Sequence, residues 1–184
     1  MARPGKADNV RDAMKDSSSR GRMIAPRRDP IHLAFTYLSQ RDRTAAQLTR
    51  YLQRQRMPEK TVRETVARCI ELGYLNDRSF AFRWAESRVL RRPMARPALE
   101  AELLAKGFDE PLVAETLAHL YGRGTERKLA GQLVRQQQKG GRTVSPARLA
   151  SVLRQRGFDE DLIAETIAET IDAERRRRDD ASGE

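Results

Sequence analysis

An internal repeat with a period of about fifty residues is the feature that most constrains the fold of this chain. Residues 107–117 read GFDEPLVAETL and residues 157–167 read GFDEDLIAETI, with eight of the eleven positions identical. A weaker third copy aligns RETVA at 63–67 with AETLA at 114–118 and AETIA at 164–168. The 184 residues therefore hold three copies of one structural unit.

Helical signals within each copy predict three helices per unit. Thr44 and Gln47 have the spacing of a capping box, and Asp29 followed by Pro30 is a second typical helix start. Two positions of the middle helix are leucine in every copy: Leu48 and Leu52, Leu99 and Leu103, Leu149 and Leu153. The same face of the middle helix is therefore expected in the core of each unit.

The predicted fold class is all-α, with three tandem three-helix repeats of helix-turn-helix type. A unit of about fifty residues buries little surface alone, so neighbouring units are expected to pack end to end into an elongated, curved array. The expected divisions are a disordered basic tail at 1–28, repeats at 29–75, 76–121 and 122–172, and a charged C-terminal tail at 173–184.

Basic charge is concentrated in the first half of the chain. The formal net charge is +10; residues 29–97 have an excess of seven basic side chains, whereas residues 98–171 have an excess of one acidic side chain. A basic surface attracts nucleic acid, or an acidic or DNA-coated protein. On the second helix, Arg43, Arg50 and Arg54 fall on one stripe that can reach an anion.

The fourth helix adds a second group of basic residues. Arg88 projects from an apolar face, where it either extends to solvent or pairs with a carboxylate between units, or else is held out for a partner. Arg91 and Arg92 extend the basic surface just after it. Phe82, at the edge of the same face, is expected to pack between units more readily than to stack on a base.

The sequence contains no pattern that indicates catalysis. The two histidines and the single cysteine are too far apart in sequence for a metal site, and we find neither a nucleophile motif nor a phosphate-binding loop. The repeated Glu64, Glu115 and Glu165 are interpreted as structural. No apolar run could span a membrane or serve as a signal peptide. We therefore expect a cytoplasmic protein without enzymatic activity, cofactor or metal.

Four segments together resemble the RecX family of regulators of the RecA recombinase. They are GYLNDRSFAFRWAESRV at 73–89, AFTYLSQRDRTAAQLTRYL at 34–52, LEAELLAKGF at 99–108 and LASVLRQRGF at 149–158, and the resemblance covers about residues 30–171. It implies a tandem three-helix protein that lies in the groove of a RecA filament on single-stranded DNA. It also implies that the protein limits filament growth and acts in recombination and the DNA damage (SOS) response.

The predicted function is accordingly a noncatalytic modulator of RecA, mainly an inhibitor and monomeric in solution, whose direct contact with DNA stays open. The predicted partner-binding residues are Arg43, Arg50, Arg54, Arg88, Arg91 and Arg92. The alternative is a stand-alone nucleic-acid-binding protein that needs no RecA; a third is a helical scaffold for another protein. The arginine run at 175–178 is expected to stabilise the C-terminus of the last helix.

Overall fold

A computed structural model describes residues 29–139 and 144–181, and the predicted tail at 1–28 lies outside these ranges. All regular structure in the described residues is helical, which confirms the predicted fold class. The helices are α1 (Pro30–Leu38), α2 (Ala45–Arg54), α3 (Glu59–Glu71), α4 (Asp77–Arg91), α5 (Arg96–Lys106), α6 (Glu110–Leu120), α7 (Thr125–Gln137), α8 (Pro146–Gln155) and α9 (Glu160–Ala181).

Packing divides these helices into three successive groups of three. Helices α1, α2 and α3 contact one another, as do α4, α5 and α6, and then α7, α8 and α9. We call these groups unit 1, unit 2 and unit 3. The chain is thus an array of three-helix repeats, and the second helix of each unit is α2, α5 or α8.

Side-chain caps start several of the helices where the sequence predicts them. The Thr44 hydroxyl accepts from the Gln47 amide at 3.1 Å, and the Gln47 carboxamide oxygen accepts from the Thr44 amide at 3.4 Å, which completes the predicted capping box. Asp29 caps α1 and Asp109 caps α6, each by accepting a backbone N–H with its side chain alone. Gly73 follows α3 in a left-handed conformation. These local interactions satisfy backbone groups that a helix end leaves without a partner.

The repeated Glu-Thr pair has a structural explanation. Thr65, Thr116 and Thr166 are buried in the third helix of each unit, and each hydroxyl donates to the carbonyl four residues earlier at 2.7–2.8 Å. Glu115 pairs with Arg78 at 2.5 Å, and Glu165 pairs with Arg127. Both ion pairs link the third helix of a unit to its first helix, whereas Glu64 lies 3.9 Å from Lys60 of its own helix.

The core is divided unequally among the units. The six aligned leucines of the second helices are all buried, as predicted. Unit 1 has its own small core, whereas one continuous core runs through units 2 and 3. At the turn between second and third helices, Phe108 and Phe158 are both 4% exposed and belong to that shared core, while the aligned Met57 is only half-buried.

The last helix is longer than the sequence analysis predicts. Helix α9 continues to Ala181, so the segment from residue 173, expected as a charged tail, begins as helix and the arginine run lies within it. The Gln138 side-chain amide donates to Glu174 at 2.8 Å and ties this extension to the end of α7. The physical reason is that alanine, glutamate and arginine all favour helix, and no glycine or proline interrupts α9.

Candidate interaction surface

Units 1 and 2, and units 2 and 3, are joined by equivalent contacts, and we call each of these contacts a joint. In each case the start of a second helix lies against the end of the second helix of the next unit. At the first joint the Thr44 hydroxyl and the Gln47 side-chain amide both donate to the Lys106 carbonyl at 3.3 Å. At the second joint the backbone amide of Ala95 donates to the Arg156 carbonyl at 2.9 Å. Thr44 aligns with Ala95 and Lys106 with Arg156 in the repeat.

A carboxylate from the next unit completes each joint. The amide of Ala45 donates to both carboxylate oxygens of Asp77 at 3.0 and 3.1 Å, and the aligned amide of Arg96 donates to Glu126 at 2.7 Å. These amides belong to the first helical residue, which has no acceptor within its own helix. Burial raises the pKa of Asp77, although its bond from Ala45 acts in the opposite direction. The acids therefore cap helices across the unit boundary.

Glycine is needed where the two second helices approach each other. Gly107 and Gly157 have φ angles of 95° and 79°, in the left-handed region. A Cβ on Gly107 would lie 3.0 Å from the Ala46 Cβ, and one on Gly157 would lie 3.1 Å from the Ala98 Cβ. Both distances are tighter than ordinary van der Waals contact, so a side chain at either position would push the units apart.

Basic side chains surround the first joint. The Lys106 ammonium lies 4.5 Å from the Trp84 ring centroid and 5.5 Å from that of Phe80. Burial lowers the pKa of Lys106, and the nearby charges of Arg41 and Arg43 lower it further. The Arg50 guanidinium lies 3.2 Å from where a Cβ of Gly107 would stand. We call these four cations the basic joint: Arg41, Arg43, Arg50 and Lys106.

Arg43 is held in place by an aromatic ring. Its guanidinium carbon lies 4.4 Å from the centroid of Tyr37, and its buried Nε has no hydrogen-bond partner among the described residues. Arg43 also lines a mainly polar cavity of about 310 Å³, together with Arg41 and Arg83. Asp42 lines the same cavity and accepts from Arg83 at 3.1 Å. The cavity therefore carries an excess of positive charge that suits an anion.

Arg88 is paired, but not in the predicted place. Its Nε and Nη2 donate to the two carboxylate oxygens of Glu102 at 2.5 and 2.6 Å. Of the alternatives left open for Arg88, pairing with a carboxylate is the one observed, but the carboxylate comes from the same unit and not from a neighbouring one, because α4 and α5 pack together within unit 2. The bidentate bond raises the pKa of Arg88 and lowers that of Glu102. Arg88 thus joins α4 to α5 and is not directed freely at solvent.

The other predicted arginines lie on exposed surface. Arg50 and Arg54 are exposed on α2, and Arg91 and Arg92 are exposed where α4 ends. The charge of Arg92 contributes to the lowered pKa of Glu102, which places Arg92 near the Arg88 pair. The structure thus brings Arg43 and Arg50 together at the first joint, and Arg88 and Arg92 together around Glu102.

Phe82 also differs from its prediction. Its ring lies 5.0 Å from the His119 ring of α6, with the Arg78 guanidinium 5.4 Å from its centroid. Both ring contacts lie within unit 2, whereas the expectation placed Phe82 between units. Its place follows from the packing of α4 on α6, which the sequence pattern alone did not reveal.

Sequence reasoning missed two members of the basic joint, Arg41 and Lys106. The repeat offered a signal for Lys106, because LLAKGF and LRQRGF place Lys106 and Arg156 at the same position before the glycine. Two cations at matching positions of a contact surface would have indicated a role at the joint. No comparable signal marked Arg41, whose importance comes from its position beside unit 2.

Two family models match the first two units of the chain. Residues 31–69 match the model of the RecX first three-helix domain, and residues 76–117 match that of the RecX second three-helix domain. A regulatory protein RecX of Thermobifida fusca is 35% identical over 132 residues, covering 72% of this chain and 70% of the relative. The chain belongs to the RecX family.

Other RecX proteins extend the comparison. The regulatory protein RecX of Streptomyces coelicolor is 35% identical over 116 residues, which cover 61% of this chain and 62% of that relative. The crystal structure of RecX from Lactobacillus salivarius superposes with a TM-score of 0.64 over 76% of this chain and 93% of the other, at 21% identity, which supports the shared fold. The two domain models fall on units 1 and 2, so unit 3 of this RecX chain lies outside both matches.

Within residues 29–139 and 144–181, every helix is too short or too polar to cross a bilayer. In the same ranges, histidine, cysteine and acidic side chains form no group of three or more that could hold a metal ion.

Proposed function

We propose that this RecX-family chain is a noncatalytic modulator, mainly an inhibitor, of the RecA recombinase. It acts in the groove of the RecA filament on single-stranded DNA and limits filament growth and activity. The observation that carries this proposal is the basic joint, which gathers four cations at the boundary of two units that match RecX domain models. We assign the activity to the cytoplasm, in DNA repair and the SOS response.

The mechanism is steric and electrostatic. A filament groove exposes DNA phosphates and acidic protein side chains, and both attract guanidinium groups, which bind such anions in a bidentate manner. An array of units lying in the groove excludes incoming duplex. No covalent step is required, because occupancy of the groove is sufficient to block the filament.

The proposed contacts divide between two parts of the surface. Arg43, Arg50 and Lys106 supply the cations at the first joint, and Arg54 extends them along α2. Arg91 and Arg92 supply cations at the exposed end of α4. Arg88 is held by Glu102, so we assign it to positioning α4 against α5 and leave partner contact to its neighbours.

A binding measurement tests the proposal. Labelled single-stranded DNA is titrated with the chain, with and without RecA and a nonhydrolysable nucleotide, over a series of salt concentrations. We expect tight, salt-sensitive binding to the RecA-coated strand only, together with reduced ATP hydrolysis by RecA when ATP is supplied.

Matched variants locate the contact. The triple variant R43Q/R50Q/K106Q is expected to weaken binding to the coated strand by about tenfold or more and to flatten its salt dependence. The control is K128Q/R135Q/R148Q, which removes three exposed cations from α7 and α8 of unit 3 and should bind as the unmodified chain does. Equal losses in both variants would show that the attraction is nonspecific.

A stand-alone nucleic-acid-binding protein is the second candidate. The polar cavity beside Arg41 and Arg43 favours it, because such a cavity could hold a phosphate without any RecA. Equal binding to bare and coated strands, with no change in ATP hydrolysis by RecA, would support this candidate and overturn the first.

A further inference from the structure

The two ends of the array carry surfaces that correspond to the two halves of the joint. Unit 1 presents the half that units 2 and 3 place against the preceding unit, and its residues Arg56 and Met57 align with Gly107 and Phe108 and with Gly157 and Phe158. Unit 3 presents the other half at the start of α8. The internal joints show that these two halves fit each other.

The first end differs from the internal joints at the glycine position. Arg56 has a φ of 58° and is the one non-glycine residue with positive φ in the described part of the chain. Among the described residues the space beside it is open: Arg56 and Met57 line a cavity of about 540 Å³ with Leu33 and Pro58. At the aligned glycines, a Cβ would meet an alanine Cβ of the preceding unit at 3.0–3.1 Å.

The other end differs at the donor position. Ala45 and Arg96 each donate a backbone amide to the carboxylate that completes a joint. The aligned residue of unit 3 is Pro146, which begins α8 and has no N–H to donate. The residues that flank it, Ser145 and Ala147, are exposed.

We propose that Arg56 and Pro146 prevent a second copy of this chain from binding to either end of the array. Without these two residues, the copies would stack head to tail by repeating the internal joint. Such a contact joins unlike surfaces and does not close on itself, so it would produce open-ended chains of molecules. Arg56 obstructs the close approach of the two second helices, and Pro146 removes a hydrogen-bond donor. The inference concerns the free protein and does not depend on the proposed action on RecA.

The test compares self-association of the unmodified chain with that of variants that restore the internal pattern. R56G/P146A replaces the arginine by the glycine of the other units and returns the amide donor. Sedimentation velocity over a hundredfold concentration range should show the unmodified chain as a monomer and R56G/P146A as oligomers that grow with concentration. R56A/P146A is the matched control, since it removes the charge and returns the amide donor but keeps a Cβ at position 56, and it should remain monomeric.

A second variant checks the orientation of the contact. Adding A147W to R56G/P146A places a large side chain on the unit 3 surface and should restore the monomer. Far-UV circular dichroism is recorded for each variant, and the single variant R56G, which removes the steric obstacle and keeps the native start of α8, replaces the double variant if its helix content is reduced. The proposal is overturned if the unmodified chain stacks, if opened variants of native helix content stay monomeric, or if A147W leaves the oligomers intact.

Discussion

The two joints share one hydrogen-bond pattern but differ in what surrounds it. At the joint of units 2 and 3, Met94 and Ala95 are each 2% exposed, and the Tyr121 hydroxyl donates to the Met94 carbonyl at 2.9 Å within a continuous apolar core. At the joint of units 1 and 2, side chains of Thr44 and Gln47 make the contact, and cations surround it. The core of unit 1 is separate.

This difference indicates that the second joint mainly stabilises the fold, whereas the first joint mainly presents charged groups. A continuous apolar core couples the units on either side of it, because disrupting one part removes packing from both. A polar joint provides less hydrophobic stabilisation but keeps charged groups near solvent, where a partner can reach them. Units 2 and 3 therefore form the stable body, and the first joint is the place where binding and flexibility are expected.

The largest expected effect comes from cavities in the two cores. Leu99→Ala and Leu48→Ala each empty a fully buried position and should each destabilise the affected core by about 2–5 kcal/mol. In hydrogen exchange, L99A should reduce protection in α4 to α9 together, whereas L48A should reduce it in α1 to α3 alone. If L48A equally exposed the helices of unit 3, the separation of the cores would be refuted.

Adding a Cβ at each joint glycine should have the next largest effect. Gly73→Ala serves as the control, because Gly73 has a φ of 76° and an added Cβ would have no neighbour within 4 Å. This variant should therefore lose only the free energy of backbone strain, about 1–2 kcal/mol. Gly107→Ala and Gly157→Ala add a contact with the preceding unit to the same strain. Urea denaturation should therefore show both joint variants to be less stable than G73A, and equal losses would mean that the units separate freely.

Removing one polar contact that crosses the first joint, and one that lies inside unit 2 beside the second joint, sharpens the comparison. Thr44→Ala loses both the helix cap and the bond to Lys106 and should cost about 1–2 kcal/mol. Tyr121→Phe loses only the bond to Met94 and should cost about 1 kcal/mol. Thermal unfolding measures both, and T44A should in addition weaken binding to the RecA-coated strand, because it loosens the basic joint. A Y121F variant with the larger loss of binding would contradict this assignment.

The smallest expected effect is the pH dependence of the Arg88–Glu102 pair. Arg88 lowers the pKa of Glu102 in the folded chain below the ordinary value of 4.5. The stabilisation is therefore complete above that value and is lost as the pH falls through the lower folded pKa. Since both side chains are partly exposed, it amounts to roughly 1 kcal/mol or less.

Acid denaturation measures this contribution. The variant Glu102→Gln should flatten the dependence of unfolding free energy on pH below about pH 4.5, relative to the unmodified chain. The control is Glu100→Gln, which removes an exposed carboxylate from the same helix without touching the Arg88 pair. Identical profiles for both variants would show that the pair contributes nothing measurable.

Local patterns in the sequence were sufficient for much of the fold. The Thr44–Gln47 capping box and the aligned leucines depend on residues a few positions apart, and such short-range interactions act in the same way in every unit. The end of the last helix was less well predicted, because the charged composition after residue 172 is compatible with both tail and helix.

The candidate site could be predicted only in part. Charge asymmetry along the chain pointed to the first half, and the stripe on α2 pointed to Arg43 and Arg50. Lys106 was missed, since its importance depends on Trp84 and Arg41, which no short-range pattern connects to it. For the same reason the sequence did not show that the carboxylate paired with Arg88 comes from its own unit.

The amino-acid sequence and the tertiary structure determine different features of this protein, and the reason is physical. Helix formation and the repeat itself follow from the amino-acid order, because capping, propensity and apolar periodicity act over a few residues. The choice of partner for each polar group was decided only in three dimensions. Thr44 and Lys106 are 62 positions apart, and Arg88 meets Glu102 because α4 and α5 pack against each other. Distances between packed helices, which no local pattern encodes, determine which charges pair and which remain available to a partner.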